Sequence, residues 1–400
     1  MPPAPRRPAE RLLTRNFALV SGITFVTFFA AFQMFPTVPL QLRALGASLA
    51  ESGRFMTVFT AGSSLGALVT GPMGDRVGQR RMVVGCAIAF GLLLGAYGLL
   101  PVRWAFYLLA FPHGVVWSGL LTATMATLGH VLPSQRRADG LSLYGLASPA
   151  GVVFGPLVGM AVFQHWGFAP MTWSLALGFV TLGLLSLSLP ADPARADPAW
   201  PSGRGPFQLP GREMLAPSLV LLATALGYGA LGTYTAQEAI ALRFPALLGL
   251  PTEAAFLSCM ALGMVASRLF MTRVGFGARP TRLLPRMLWA ATAGLALLAL
   301  LPGGLARHIV SALVYGGGYS MVHTLVSTHV LETTPAGRRG AAFGATLFAF
   351  DSGIGLGSLA IGGLIGWASG PFGAGAFRLG WGAAALLALA AVPLSRKLSK

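Results

Sequence analysis

The sequence predicts an all-α integral membrane protein whose twelve transmembrane helices form two pseudo-symmetric six-helix bundles. Hydrophobic residues make up 54% of the chain and charged residues only 10%, whereas about 25% of the residues in a soluble domain are charged. Apolar runs of about 20 residues, the length of a helix that crosses a bilayer, recur along the whole chain. Basic residues concentrate in every second loop between these runs, as they do in multi-pass membrane proteins.

Twelve apolar runs account for the predicted helices. In chain order they lie near residues 17–42, 52–71, 82–101, 104–130, 140–163, 168–189, 215–241, 253–271, 284–302, 307–331, 341–366 and 374–394. An even number of crossings places both termini on the same side of the membrane.

The basic residues orient the chain. Of the 28 Lys and Arg residues, only six fall on the side opposite the N-terminus: Arg43, Arg54, Arg103, Arg243, Arg307 and Arg378. By the positive-inside rule, both termini are predicted to be cytoplasmic, in a bacterial-type inner (plasma) membrane. The net charge of +17 then belongs to loops beside a lipid bilayer, and no nucleic-acid partner is expected.

Neither a metal nor a cofactor is indicated. The two cysteines, Cys86 and Cys259, lie in separate predicted spans and therefore predict neither a disulfide framework nor a metal site. The chain also lacks the G-x-x-x-x-G-K-[ST] motif of ATP-hydrolysing proteins.

A loop-like interruption divides the chain into two parts. From Pro190 to Arg212 the sequence reads PADPARADPAWPSGRGPFQLPGR, which is typical of a linker. The predicted domains are an N-terminal six-helix bundle over 1–189, a cytoplasmic linker over 190–213 and a C-terminal six-helix bundle over 214–400.

The two halves are related in sequence. A shift of 202 positions, without a gap, gives these aligned pairs: Gly114 and Gly316, Ser118 and Ser320, Thr122 and Thr324, Pro133 and Pro335, Arg136-Arg137 and Arg338-Arg339, Gly151 and Gly353, Gly155 and Gly357. Transporters that rock around a central site are built from such repeats.

The predicted loop between spans two and three carries a motif, GPMGDRVGQRRM. It resembles the G-x-L-a-D-R-x-G-R-K motif of the major facilitator superfamily, with Met73 and Gln79 as departures. The matching residues are Gly71, Gly74, Asp75, Arg76, Gly78 and Arg80. The resemblance implies a twelve-helix secondary transporter with a cytoplasmic conformational latch at this motif. Positive-inside anchoring alone would explain the arginines, but not Asp75.

A second motif concerns the direction of transport. GVVFGPLVG in span five resembles the G-x-x-x-G-P-x-x-G-G pattern of the family's exporters, through Gly151, Gly155, Pro156 and Gly159. The resemblance favours proton-coupled efflux, as in drug antiporters, although small residues four apart also serve ordinary helix packing. Span four departs from the exporters' R-x-x-Q-G, with Ala110 in place of the arginine and His113 in place of the glutamine.

Polar groups inside the membrane are candidates for proton coupling, because they are costly there. Asp351 lies about 15 Å into span eleven at the helical rise, and a structural role in capping or pairing is the alternative. Glu238, near the outer end of span seven, is either a coupling residue or a solvated vestibule residue. His113 is the third candidate.

Other polar and aromatic residues are predicted to line a central cavity: Gln33, Phe32, Tyr228, Tyr234, His323 and His329. The aromatic residues favour a lipophilic or amphipathic cargo. The alternative for each polar residue is a hydrogen bond to a neighbouring helix, and for each aromatic residue a place in the core or against lipid.

The function predicted from these features is that of a secondary active transporter, acting as a monomer on a small-molecule substrate and protons by alternating access. Uptake or export of a polar metabolite, such as a sugar, an amino acid or a metallophore, is the alternative. An intramembrane enzyme is a remote alternative function, because the spacing of His323 and His329 is not that of the H-E-x-x-H metal site.

Overall fold

A computed structural model describes residues 12–132, 140, 143–190, 214–245, 251–274, 280–333 and 339–398. Over these residues the chain is helical, with no strand. All but the first residue of the predicted linker 190–213 lies outside the described residues.

Twelve long helices occupy the twelve predicted spans. They are α1 Arg15–Ala44, α2 Arg54–Val77, α3 Gln79–Leu99, α4 Arg103–Val131, α5 Ala147–Trp166, α6 Phe168–Leu185, α7 Leu215–Ala241, α8 Ala255–Val274, α9 Leu284–Leu300, α10 Leu305–Thr333, α11 Arg339–Phe372 and α12 Ala376–Leu398. Nine segments of the described chain are long and apolar enough to cross a membrane, one of them running through α11 and α12 from Ala345 to Arg396. The all-α membrane class is therefore confirmed, and twelve crossings are consistent with it.

Short helices connect several of the long ones. They are Leu49–Ser52, Ser186–Ser188, Thr252–Ala254, Pro280–Leu283 and Gly373–Gly375. At the first of these, the Ser48 hydroxyl accepts a hydrogen bond from the Glu51 backbone, while the Glu51 carboxylate accepts one from the Ser48 backbone. These contacts with Ser48 lower the pKa of Glu51 and define the start of the helix.

The packing of the helices repeats between the halves. In the N-terminal half α1 packs on α5, α2 on α4, and α3 on both α4 and α6. The equivalent pairs recur in the C-terminal half, where α7 packs on α11, α8 on α10, and α9 on both α10 and α12. Between the halves, α2 packs on α11 and α5 packs on α8, a pair of contacts related by the same repeat.

The aligned glycines lie at equivalent contacts. A Cβ on Gly114 of α4 would lie 1.9 Å from the Phe59 carbonyl of α2, and one on Gly316 of α10 would lie 2.0 Å from the Met260 carbonyl of α8. Only glycine permits this closeness, because any side chain would overlap the neighbouring backbone. The sequence repeat is therefore also a repeat of helix contacts.

The outer surface is apolar, as a bilayer requires. Large exposed side chains include Leu92, Leu177 and Leu386. Exposed Trp104, Trp166 and Trp367 lie near helix ends on the side remote from the termini, where tryptophan is enriched at membrane interfaces.

Candidate functional site

The central feature of the site is a contact between the halves at Asp351. Its Oδ2 atom accepts a hydrogen bond of 2.8 Å from the Ser63 hydroxyl, which joins α11 to α2. Asp351 is buried, with 8% of its surface exposed. Asp351, a candidate residue for proton coupling, thus lies where the two halves meet.

A row of hydrogen bonds extends from this contact toward the end of the bundle remote from the termini. The Thr57 hydroxyl donates to the Gly355 carbonyl at 2.8 Å, and the Ser358 hydroxyl donates to the Gly53 carbonyl at 3.2 Å. Because α2 begins at this end and α11 finishes there, the contacts close the bundle on that side. We call this row, from Gly53–Ser358 to Ser63–Asp351, the α2–α11 seam.

Helix α7 completes the closure. The Tyr234 hydroxyl donates to the Ser358 carbonyl at 2.9 Å, and Gln237 Nε2 donates to the Ser52 hydroxyl at 3.2 Å. Tyr234 has no exposed surface. The predicted cavity residue Tyr234 therefore packs within the closed end in this conformation.

Glu238 lies in a buried charged cluster. Its carboxylate forms an ion pair with Arg307, accepts a hydrogen bond of 2.8 Å from Trp381 Nε1, and lies 3.4 Å from His308 Nε2. Glu238 has no exposed surface. The alternative of a solvated vestibule residue was therefore wrong, because side chains of α10 and α12 enclose the carboxylate.

The same cluster corrects the placement of Arg307. The sequence counted this arginine among the six basic residues of the outer side, at the first position of span ten, but it is buried in α10, at 4% exposure. Its Nη1 atom also donates to the Leu298 carbonyl at 2.7 Å. Arg307, His308 and Trp381 were all missed as partners; the one available signal was an Arg-His pair on the side where basic residues are rare.

His113, the third coupling candidate, is enclosed by aromatic rings. Its ring centroid lies 4.5 Å from that of Phe90 and 5.0 Å from that of Phe59, both edge-on. Neither ring nitrogen has a hydrogen-bond partner among the described residues. Ala110, one turn earlier, is also buried. Aromatic packing therefore surrounds the residue that stands in place of the exporter motif's glutamine.

An aromatic cluster lies where α7, α10 and α11 meet. Tyr228 stacks on Tyr319 with centroids 4.7 Å apart and planes within 6°, and Tyr319 stacks on Tyr315 at 5.3 Å. Phe350, the neighbour of Asp351, lies 6.4 Å from Tyr319 and 5.3 Å from His323. The structure thus brings the predicted cavity residues Tyr228 and His323 together with three aromatic side chains next to the seam.

The remaining predicted cavity residues lie elsewhere. Phe32 and Gln33 are buried, at 3% and 2% exposure, where α1 packs on α5. His329 lies further along α10 and is partly exposed. The prediction that these residues line a cavity remains a prediction.

The exporter-like motif forms the contact between α5 and α1. A Cβ on Gly151 would lie 2.7 Å from the Phe25 carbonyl, one on Gly155 2.8 Å from the Phe29 carbonyl, and one on Gly159 2.7 Å from Gln33 Cβ. Pro156 is buried inside α5. The motif therefore acts at least as a close-packing surface.

The latch motif forms the corner between α2 and α3. Gly78 joins the two helices with φ +100°, a conformation that favours glycine, and a Cβ on Gly74 would meet the Gln79 side chain. Arg80 donates to the Leu187 carbonyl, and Arg76 is exposed. Gly71 belongs to α2, and the Asp75 side chain lies outside the described residues.

The described part of the chain holds no group of three or more His, Cys, Asp or Glu residues placed to bind a metal ion.

Comparisons with known proteins agree with this architecture. A family model described as Major Facilitator Superfamily matches residues 20–358. The enterobactin exporter EntS of Shigella boydii serotype 18 is 27% identical over 345 residues, which cover 82% of this chain and 80% of the exporter. EntS of Escherichia coli O81 is also 27% identical over 345 residues, with the same coverage of both chains.

Solved structures share the fold. A variant of the nucleoside transporter NupG gives a TM-score of 0.76 at 15% identity, covering 96% of this chain and all of that one. A bacterial homologue of the human lysosomal transporter Spinster, in an inward-facing and occupied conformation, gives 0.74 at 14% identity and covers 96% of each chain.

Proposed function

We propose that this chain, which belongs to the major facilitator superfamily, exports a small lipophilic or amphipathic molecule by alternating access, driven by protons. The family match and the relatives make it a multi-pass membrane transporter of small molecules and not an enzyme. Export is favoured because the 27% identical relatives are named exporters and because α5 carries the exporter-like motif. The proposal includes an inner-membrane location, cytoplasmic termini, a monomer, and halves that divide at 189 and 214.

The hydrogen bond between Ser63 and Asp351 is the observation that carries the coupling proposal. A transporter of this type opens by moving one half against the other, and this contact spans both. A proton can shift the balance between two conformations only if it binds them unequally. Asp351 meets this requirement when its carboxylate is enclosed in the closed seam and is exposed to water once the seam opens.

The latch has a complementary place in the proposal. The α2–α11 seam closes the side remote from the termini, whereas the corner at Gly78 lies at the other end of α2, on the termini side. A closed seam and a closed latch are then alternative states of α2. Gly74, Asp75 and Arg80 would hold the second state.

A second candidate is export of a metallophore. It is favoured by the relatives that are named enterobactin exporters, and it uses the same fold and seam.

Transport by purified protein in liposomes tests the proposal. With an acidic lumen and an alkaline bath, molecules inserted with the cytoplasmic face outward should accumulate a lipophilic dye, or enterobactin, above the bath concentration. A protonophore should abolish that accumulation. Accumulation that does not depend on the pH gradient would contradict proton coupling. Comparison of the lipophilic dye with enterobactin decides between the two candidate cargoes.

A further inference from the structure

An arginine and a histidine lie beside the aromatic cluster without an acidic partner among the described residues. Arg268 of α8 is exposed, and its Nε atom donates to the Ser320 hydroxyl of α10 at 3.0 Å. Ser320 donates in turn to the Met264 carbonyl of α8 at 3.3 Å. The guanidinium is thus oriented by a neutral partner, and among the described residues no carboxylate lies within ion-pair distance of it.

His323 provides a second donor close to this arginine. It lies one helical turn beyond Ser320 on α10 and is exposed. Its ring contacts Phe350 edge-on at 5.3 Å. Tyr319, next to Ser320 in the chain, is buried between Tyr228 and Tyr315, on both of which it stacks. Phe350, at the border of this stack, is partly exposed.

We propose that Arg268 and His323 bind the anionic group of an aromatic cargo whose ring packs against Phe350. An arginine within a transmembrane helix is rare and marks a substrate or ion pathway by default, and its fork of donors matches a carboxylate or phosphate. The partly exposed ring of Phe350 gives a planar apolar group an aromatic partner. The interior-negative membrane potential also favours outward movement of an anion.

This inference rests on the proposed function, because it names the class of molecule carried, but its test needs no transport. Two probes share one ring system: 2-naphthoate is anionic and 2-naphthalenemethanol is neutral. Equilibrium dialysis against the purified full-length protein, without any pH gradient, measures the affinity for each. A charge-assisted hydrogen bond is typically worth enough for about a tenfold preference, so we expect 2-naphthoate to bind about tenfold more tightly.

Variants assign the preference to residues. Arg268→Gln should abolish it, Arg268→Lys should retain part of it, and Phe350→Ala should weaken the binding of both probes. Arg273→Gln is the matched control, since Arg273 is an exposed arginine five residues further along α8, and it should leave the preference unchanged.

Equal affinity of the two probes, including no binding of either, would overturn the proposal, as would a preference that survives in Arg268→Gln. Failure of proton-driven transport with the preference intact would instead count against the proposed coupling. Size-exclusion profiles of the variants exclude misfolding as the cause of a lost preference.

Discussion

Glu238 and Arg307 form an ion pair inside the C-terminal half, although they are 69 residues apart in the chain. Trp381 of α12 donates to the glutamate, and the Leu298 carbonyl of α9 accepts from the arginine. Since Glu238 belongs to α7 and Arg307 to α10, the cluster ties four helices together. A buried charge of this kind is stable only while its partner is present.

Glu238→Gln should therefore destabilise the protein, by about 3–5 kcal/mol if it behaves like other broken buried pairs. The variant leaves the Arg307 guanidinium buried without its counter-charge. Thermal unfolding in detergent, followed by a fluorescent thiol or tryptophan signal, measures the loss.

The double variant Glu238→Gln with Arg307→Met is the control, because it removes both charges. It should recover much of the lost stability, and proton-driven transport per folded molecule should persist. If the double variant is stable but cannot concentrate cargo, Glu238 takes part in coupling and not only in packing.

Gly155→Ala should separate α5 from α1. The added Cβ would lie 2.8 Å from the Phe29 carbonyl and 2.9 Å from Phe32 Cβ, so a helix must shift, at a cost of about 1–3 kcal/mol for overpacking. The melting temperature and the transport rate should both fall. Gly178→Ala is the control, since a Cβ there meets nothing within 4 Å; equal behaviour of the two variants would show that α5 tolerates separation.

The helices and their close contacts were predictable from sequence because their causes are local. Length and apolarity define a span, and the glycines of α5 recur every four residues, which places them on one helix face. The repeat alignment pairs Gly114 with Gly316, and these two glycines lie at equivalent helix contacts.

The partners of the polar groups were not predictable in the same way. Ser63 and Asp351 are 288 residues apart, and nothing local in either span indicates the other. Arg307 was counted with the outer-side basic residues at the start of span ten because a charged residue at a span boundary gives the same sequence pattern whether it faces water or a buried glutamate. Such pairings depend on how whole helices meet, which single-span patterns do not specify.

The orientation of the chain is testable by cysteine labelling. In a background without Cys86 and Cys259, a cysteine at Ser202 should be protected from a membrane-impermeant thiol reagent added to intact cells. A cysteine at Ala44, which is exposed at the end of α1, should react. The positive-inside rule gives this direction, and the reverse pattern would overturn both the orientation and the cytoplasmic latch.

The latch prediction concerns Asp75. Asp75→Asn keeps the side-chain size and removes the charge that a helix N-terminus and an arginine would stabilise. Transport should fall by about tenfold, as expected for a lost charge-assisted contact, while membrane insertion stays normal. Asp75→Glu should recover part of the rate. Unchanged transport in Asp75→Asn would leave the motif as a membrane anchor.

Asp351 provides the most direct test of coupling. Asp351→Asn retains a group that can meet the Ser63 hydroxyl but cannot gain or lose a proton. We expect it to abolish accumulation against a gradient while sparing exchange of cargo down a gradient, because exchange requires no net proton movement. Asp351→Glu should keep some uphill transport, since the titrating group survives.

Ser63→Ala tests the role of the hydrogen bond at this site separately from the role of the proton. It removes the 2.8 Å hydrogen bond but leaves the carboxylate, so uphill transport should continue at a reduced rate because the closed seam is less well held. Proton release on addition of cargo to purified protein should accordingly be present in Ser63→Ala and absent in Asp351→Asn. If Asp351→Asn still concentrates cargo, the proton is carried elsewhere, and Glu238 and His113 are the residues to substitute next.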